Sequence, residues 1–137
     1  MQTDFYDAHQ RHWDDAERLF GASRWANADH LYGITAECGL KRLMLAFGMQ
    51  TGVHGVPQEQ HDRKHIEQIW VRYETYRSGH VAGFRYGLPP NNPFDDWNAS
   101  QRYAHQSEFE QARVTPHRTG ADVVRTLVKK AALEGLL

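Results

Sequence analysis

Apolar residues return every three or four positions along nearly the whole chain, the period of a helix buried on one side, and no stretch alternates as a half-buried strand would. In DFYDAHQRHWDDAERLF, the residues Phe5, Ala8, His12 or Trp13, Ala16 and Leu19 with Phe20 share a stripe. Asp4 is the expected N-cap and Gly21 the expected stop. A longer second helix is expected from a Ser23 cap to Gly48, with Ala28, Leu31, Tyr32, Thr35, Cys38 and Leu43 on its apolar positions. GMQTGVHGVPQEQ, rich in Gly and polar residues, reads as a surface connection. Ile66, Ile69, Trp70, Tyr73 and Tyr76 then predict a third helix that stops at Gly79. After the irregular GLPPNNPF, Asn92 and Pro93 have the chemistry of an N-cap and first helical position, predicting a short helix through FDDWNASQRYAHQ with Trp97 and Tyr103 facing inward. Ala121, Val124, Val128 and Ala131 predict a last helix, started by Thr115 and Pro116 or capped by Thr119. The expected architecture is all-α: an up-and-down antiparallel bundle of four long helices plus a short fifth, forming one domain over residues 1–137.

The second helix carries an anomaly. Gly33 and Gly39 each lower helix propensity by about 1 kcal/mol relative to alanine. With Ala36 between them they predict a small-residue seam where another helix backbone approaches closely. Glu37 and Lys41 stand four apart in the favourable orientation for an ion pair, and Cys38 falls on the apolar stripe as a small core residue.

Composition narrows the function class. A chain of 137 residues, 40% hydrophobic and 24% charged, is long enough to bury a core without metal or disulfide staples, so no cofactor is expected for folding. Its single cysteine rules out an intramolecular disulfide and makes the cytoplasm the expected compartment. MQTDFYDAHQRHWDD has neither the basic flank nor the apolar centre of a leader, and no run reaches the roughly eighteen apolar residues of a membrane span, so no membrane association is expected. Sixteen Lys and Arg against seventeen Asp and Glu give a net charge of -1, without the broad positive field of a duplex-DNA binder. Twelve of those sixteen cations are arginine, which grips phosphate or carboxylate through two N–H groups at once, and nine histidines accompany them.

HWDDAERLFGASRWANADHLYGITAECGLKRLM resembles the first two helices of the HEPN superfamily (higher eukaryotes and prokaryotes nucleotide-binding). The shared features are a paired-acid segment, a short turn, an alanine-rich helix start, an apolar-Gly step and an Ala-Glu-Cys-x-Leu-Lys centre. PFDDWNASQRYAH is similar to the Trp and Arg-Tyr segment of the family's fourth helix, and TGADVVRTLV to its final helix. The resemblance implies a helical domain that pairs as a homodimer, often beside a minimal nucleotidyltransferase partner in toxin-antitoxin or RNA-processing systems. Many members are metal-independent ribonucleases whose late Arg, four to six residues, then His lies at the dimer cleft.

That signature is missing from the late segment of this chain. Arg24 and His30 alone satisfy the spacing, but they belong to the second helix, where roughly 120° of rotation would separate them. The late candidates are Arg102 with His105 and Arg113 with His117. On a helix Arg102 and His105 would share a face and could hold one phosphate, or, as catalytic residues of a divergent ribonuclease, cleave beside it. His117 is expected on the exposed first turn of the last helix. WVRYETYRSGHVAGFRY adds Arg72, Arg77 and Arg85 among aromatic residues, so Arg72, Arg77, Arg85 and Arg102 are the candidate nucleotide- or RNA-binding residues. His61 and His65 have a zinc-like spacing without a third ligand nearby, and no metal site is expected. The sequence thus favours a non-catalytic helical dimer that binds nucleotide, RNA or a partner protein, with the ribonuclease as the alternative.

Overall fold

A computed structural model describes all residues, 1–137, and shows an all-helical chain with no sheet. Four α-helices carry it: α1 (Phe5–Gly21), α2 (Trp25–Ala46), α3 (Ile66–Ser78) and α4 (Gln111–Leu133). Asp4 caps α1 as expected, its carboxylate accepting from the N–H groups of Tyr6 and Asp7 at 3.0 Å. Ser23 does not cap α2. It sits at φ 56 in the tight turn between α1 and α2, and Arg24 takes the N-cap position with no side-chain bond to the helix start.

α2 is the central element, contacting all three other helices. α1 runs antiparallel to it: Phe20 meets Trp25, Tyr32 donates to Glu17 at 2.6 Å, and Phe5 covers Lys41. Along α4, His117 reaches Asp29 and Val124 packs at Gly39, so α4 follows α2 in the same sense. Along α3, His65 meets Glu37 and Tyr73 meets Phe47, so α3 runs broadly with α2 as well. The expected strict alternation therefore holds for α1 against α2 but not for α3. The connection between α2 and α3 is long enough to bring the chain back along the bundle before α3 begins. Twenty-two buried residues form one contiguous core, among them Tyr32, Leu40, Ile69, Phe94 and Val124.

Two expectations fail between α3 and α4. The short fifth helix is absent; two 3₁₀ turns, Ala99–Tyr103 and Gln106–Glu108, take its place. Asn98 and Gln101 form a capping box at the first turn, but Ala104 is already extended, and Trp97 and Gln101 are both tied to Asp29. Tertiary bonds thus override the helical pattern. Trp97 is buried as expected, whereas Tyr103 is 77% exposed. Asn92 caps a turn rather than a helix, accepting from the Phe94 N–H while donating to the Glu67 carbonyl.

The last helix begins earlier than expected, at Gln111, and contains Pro116. The missing N–H would have bonded the Ala112 carbonyl, and Ala112 is exposed, so water can satisfy that oxygen.

The glycine seam works differently from the expectation. A Cβ at Gly33 would overlap the Trp97 indole, and one at Gly39 would meet His9 Nδ1 at 2.7 Å and Val124 Cγ1 at 2.6 Å. Large side chains, rather than a helix backbone, fill both notches.

Candidate functional site

Asp29 stands on the stripe that also carries Gly33, Ala36 and Leu40, yet it is completely buried. Each of its acceptors has a partner. Oδ1 accepts from His117 Nδ1 at 2.5 Å, and Oδ2 accepts from Gln101 Nε2 at 2.6 Å with the Arg113 guanidinium 3.6 Å away. Its carbonyl accepts from the Trp97 indole N–H at 3.0 Å. The second nitrogen of His117 donates to Asp96 Oδ1 at 2.7 Å. Both ring nitrogens face carboxylates, so both carry protons and the ring is an imidazolium. Burial alone would push the His117 pKa down, but Asp29 and Asp96 outweigh it and hold the pKa above the ordinary value. His117 is therefore not on an exposed first turn: it is 1% exposed, six residues into α4, and stacked on Phe94. No substrate can reach it, and its work is to bind the 96–101 loop to α2 and α4.

The chain that follows that loop, residues 101–107, and the start of α2 together enclose a hollow of about 490 Å³. Arg24, Trp25, Asn27, Arg102, His105 and Ser107 line it, and no carboxylate does. Arg102 is held by its own turn, donating to the Ala99 carbonyl at 2.8 Å and lying 4.6 Å from the Tyr103 ring. Neither Arg24 nor Arg102 has a carboxylate within salt-bridge distance. The first N–H groups of α2 lack a side-chain cap, so the positive end of a 22-residue helix opens toward the same space. His105 Nδ1 accepts from the Ser107 N–H at 3.2 Å, so in the neutral ring the proton sits on Nε2 and points a donor outward. The expected shared helix face of Arg102 and His105 does not exist, because the two occupy successive 3₁₀ turns; the hollow brings them together instead.

The remaining candidates have other surroundings. Arg72 holds Asp62 at 2.7 Å and Glu59 at 2.8 Å, Arg77 holds Glu74, and Arg85 holds Glu134 at 2.9 Å. Each is already neutralised by a carboxylate, and none lines the hollow with Arg102. Arg24 enters it, but its spacing partner His30 does not; His30 stacks on Trp97. His65 bonds Glu37, which also holds Lys41 at 2.7 Å as expected, and His61 stays apart in a 3₁₀ turn. Burial raises the Glu37 carboxyl, but His65 and Lys41 together bring it below its usual range. Burial pushes the Cys38 thiol up to about 12, leaving it an inert core group.

Sequence reasoning missed Asp29, Gln101 and the pairing of Asp96 with His117, and it placed Arg24 apart from Arg102. One signal was available: an acid on an apolar helical stripe must find buried partners.

Compared with known proteins, the chain matches no family model, no curated protein and no solved structure.

Proposed function

We propose that this chain is a HEPN-like, non-catalytic binding domain whose hollow at the start of α2 takes a phosphate-bearing ligand, a nucleotide or a single-stranded RNA segment. One observation carries the reading: two arginines without carboxylate partners, a histidine donor and an uncapped helix start converge where no acid intrudes. Trp25 on the same wall and exposed Tyr103 beside Arg102 offer aromatic faces on which a base can stack. The resemblance of the first two helices supports a homodimer and a nucleotidyltransferase partner in a toxin-antitoxin or RNA-processing system.

The test is binding of a 5′-labelled single-stranded RNA followed by anisotropy. Replacing both Arg24 and Arg102 by Gln should weaken binding at least tenfold, about 1.4 kcal/mol. An unchanged affinity would overturn the assignment.

The competing reading, metal-independent cleavage by Arg102 and His105, draws on their shared hollow. With Nδ1 engaged by the Ser107 N–H, the neutral His105 ring has no free lone pair to act as general base, which favours binding. RNA cleavage that persists in EDTA and disappears in His105→Ala would establish the enzyme instead.

A further inference from the structure

A second cavity, about 290 Å³, lies between α1 and α4, at the other end of α1 from the hollow. Its floor is His9, a residue 2% exposed. The ring donates from Nδ1 to the Thr35 carbonyl at 2.8 Å, which fixes the proton on Nδ1 and leaves Nε2 an acceptor. Nε2 has no hydrogen-bond partner in the protein, and it is not among the unpartnered polar atoms sealed from solvent. The Nδ1 and Cε1 edge of the ring faces Gly39, in a notch that any larger residue would fill. α2 therefore carries a helix-weakening glycine where it admits a polar ring, and that ring leaves one acceptor for the cavity.

Two cations share the cavity with this acceptor. Arg125 and Lys129, one turn apart on α4, line the cavity with Tyr6 and Trp13. Arg125 lies over the Trp13 ring, 4.8 Å from its centre, with Asp122 only at 3.9 Å. Lys129 is exposed and has no carboxylate within salt-bridge distance. Asp14 at the same cavity adds one acceptor for a hydroxyl and disfavours a bare anion. Burial first, and Arg125 as a lesser cause, lower the His9 pKa, in keeping with a neutral ring.

We infer that this cavity is a separate ligand site for a small anion that also carries hydroxyl groups, of the sugar-phosphate class. The hydroxyl donates to Nε2 of His9, the phosphate meets Arg125 and Lys129, and the sugar lies along Tyr6 and Trp13. The site is independent of the RNA-binding reading.

Ribose 5-phosphate is the probe, titrated to about 20 mM against uniformly ¹⁵N-labelled protein while long-range correlations report the imidazole nitrogens. To keep the α2 hollow out of the result, the titration is done in the Arg24→Gln, Arg102→Gln background. The His9 Nε2 resonance should move and saturate, and free ribose and sulfate should each bind at least tenfold more weakly. Replacing Arg125, which is partly exposed, and Lys129, which is exposed, together by Gln should weaken binding tenfold or more. His9→Asn keeps a donor for Thr35 without any group at Nε2, and it should reduce ribose 5-phosphate to the affinity of sulfate. A still His9 resonance overturns the assignment, as does sulfate binding equally well or an undiminished affinity without the two cations. If His9→Asn does not fold, the nitrogen shift and the Arg125, Lys129 variant decide alone.

Discussion

His117 shows how far a single residue's environment can depart from its place in the sequence. Beside Pro116 it has the look of a first-turn surface residue, but Asp29, eighty-eight positions away, turns it into a buried cation. Its raised folded-state pKa sets a sign: the stability it contributes is complete below pH 6.5 and is lost as pH rises through the higher folded value. Urea midpoints should therefore fall across that window in the wild type, and His117→Gln should lack this decline. Asp29→Ala leaves that imidazolium without its main partner and should cost about 3–5 kcal/mol. Gly33→Ala gains about 1 kcal/mol of helix propensity, yet its methyl group would overlap a Trp97 indole pinned to the Asp29 carbonyl. We expect a net loss of about 1–3 kcal/mol by chemical denaturation, where an exposed helical glycine would show a gain.

At the scale of elements, the sequence was informative wherever one side of a helix meets the core. α1, α2 and α3 lie where three-to-four spacing puts them, and Asp4 caps α1. The segment between α3 and α4 was less legible. Trp97, Gln101 and Asp96 are fixed by partners in α2 and α4, and no local spacing encodes bonds of that range. The hollow suffered likewise, since Arg24 and Arg102 meet only once the 96–105 chain is folded onto the start of α2. Pro116 is a further case: proline normally marks a helix start, but here the helix runs through it, and Ala112, whose carbonyl loses its helical partner, is exposed to water. Pro116→Ala should restore that backbone bond and stabilise α4 by about 1–3 kcal/mol, measured as a higher urea midpoint with an unchanged slope.

For the whole molecule, a net charge of -1 describes the average and conceals the local arrangement. Ten of the twelve arginines either hold a carboxylate or lie elsewhere, while Arg24 and Arg102 share a hollow free of acids. No helix is long and apolar enough to cross a membrane. The proposed RNA or nucleotide binding is confined to one small patch, and such a patch has a characteristic salt response. Each phosphate held by a cation should contribute roughly -0.7 to the slope of log affinity against log salt for a single strand.

The most direct measurement is that slope for one single-stranded RNA, compared between the wild type and Arg102→Gln by anisotropy over a range of sodium chloride concentrations. The account predicts that the variant binds more weakly and that its slope is shallower by roughly 0.7, one phosphate contact fewer. Equal slopes and equal affinities would contradict it.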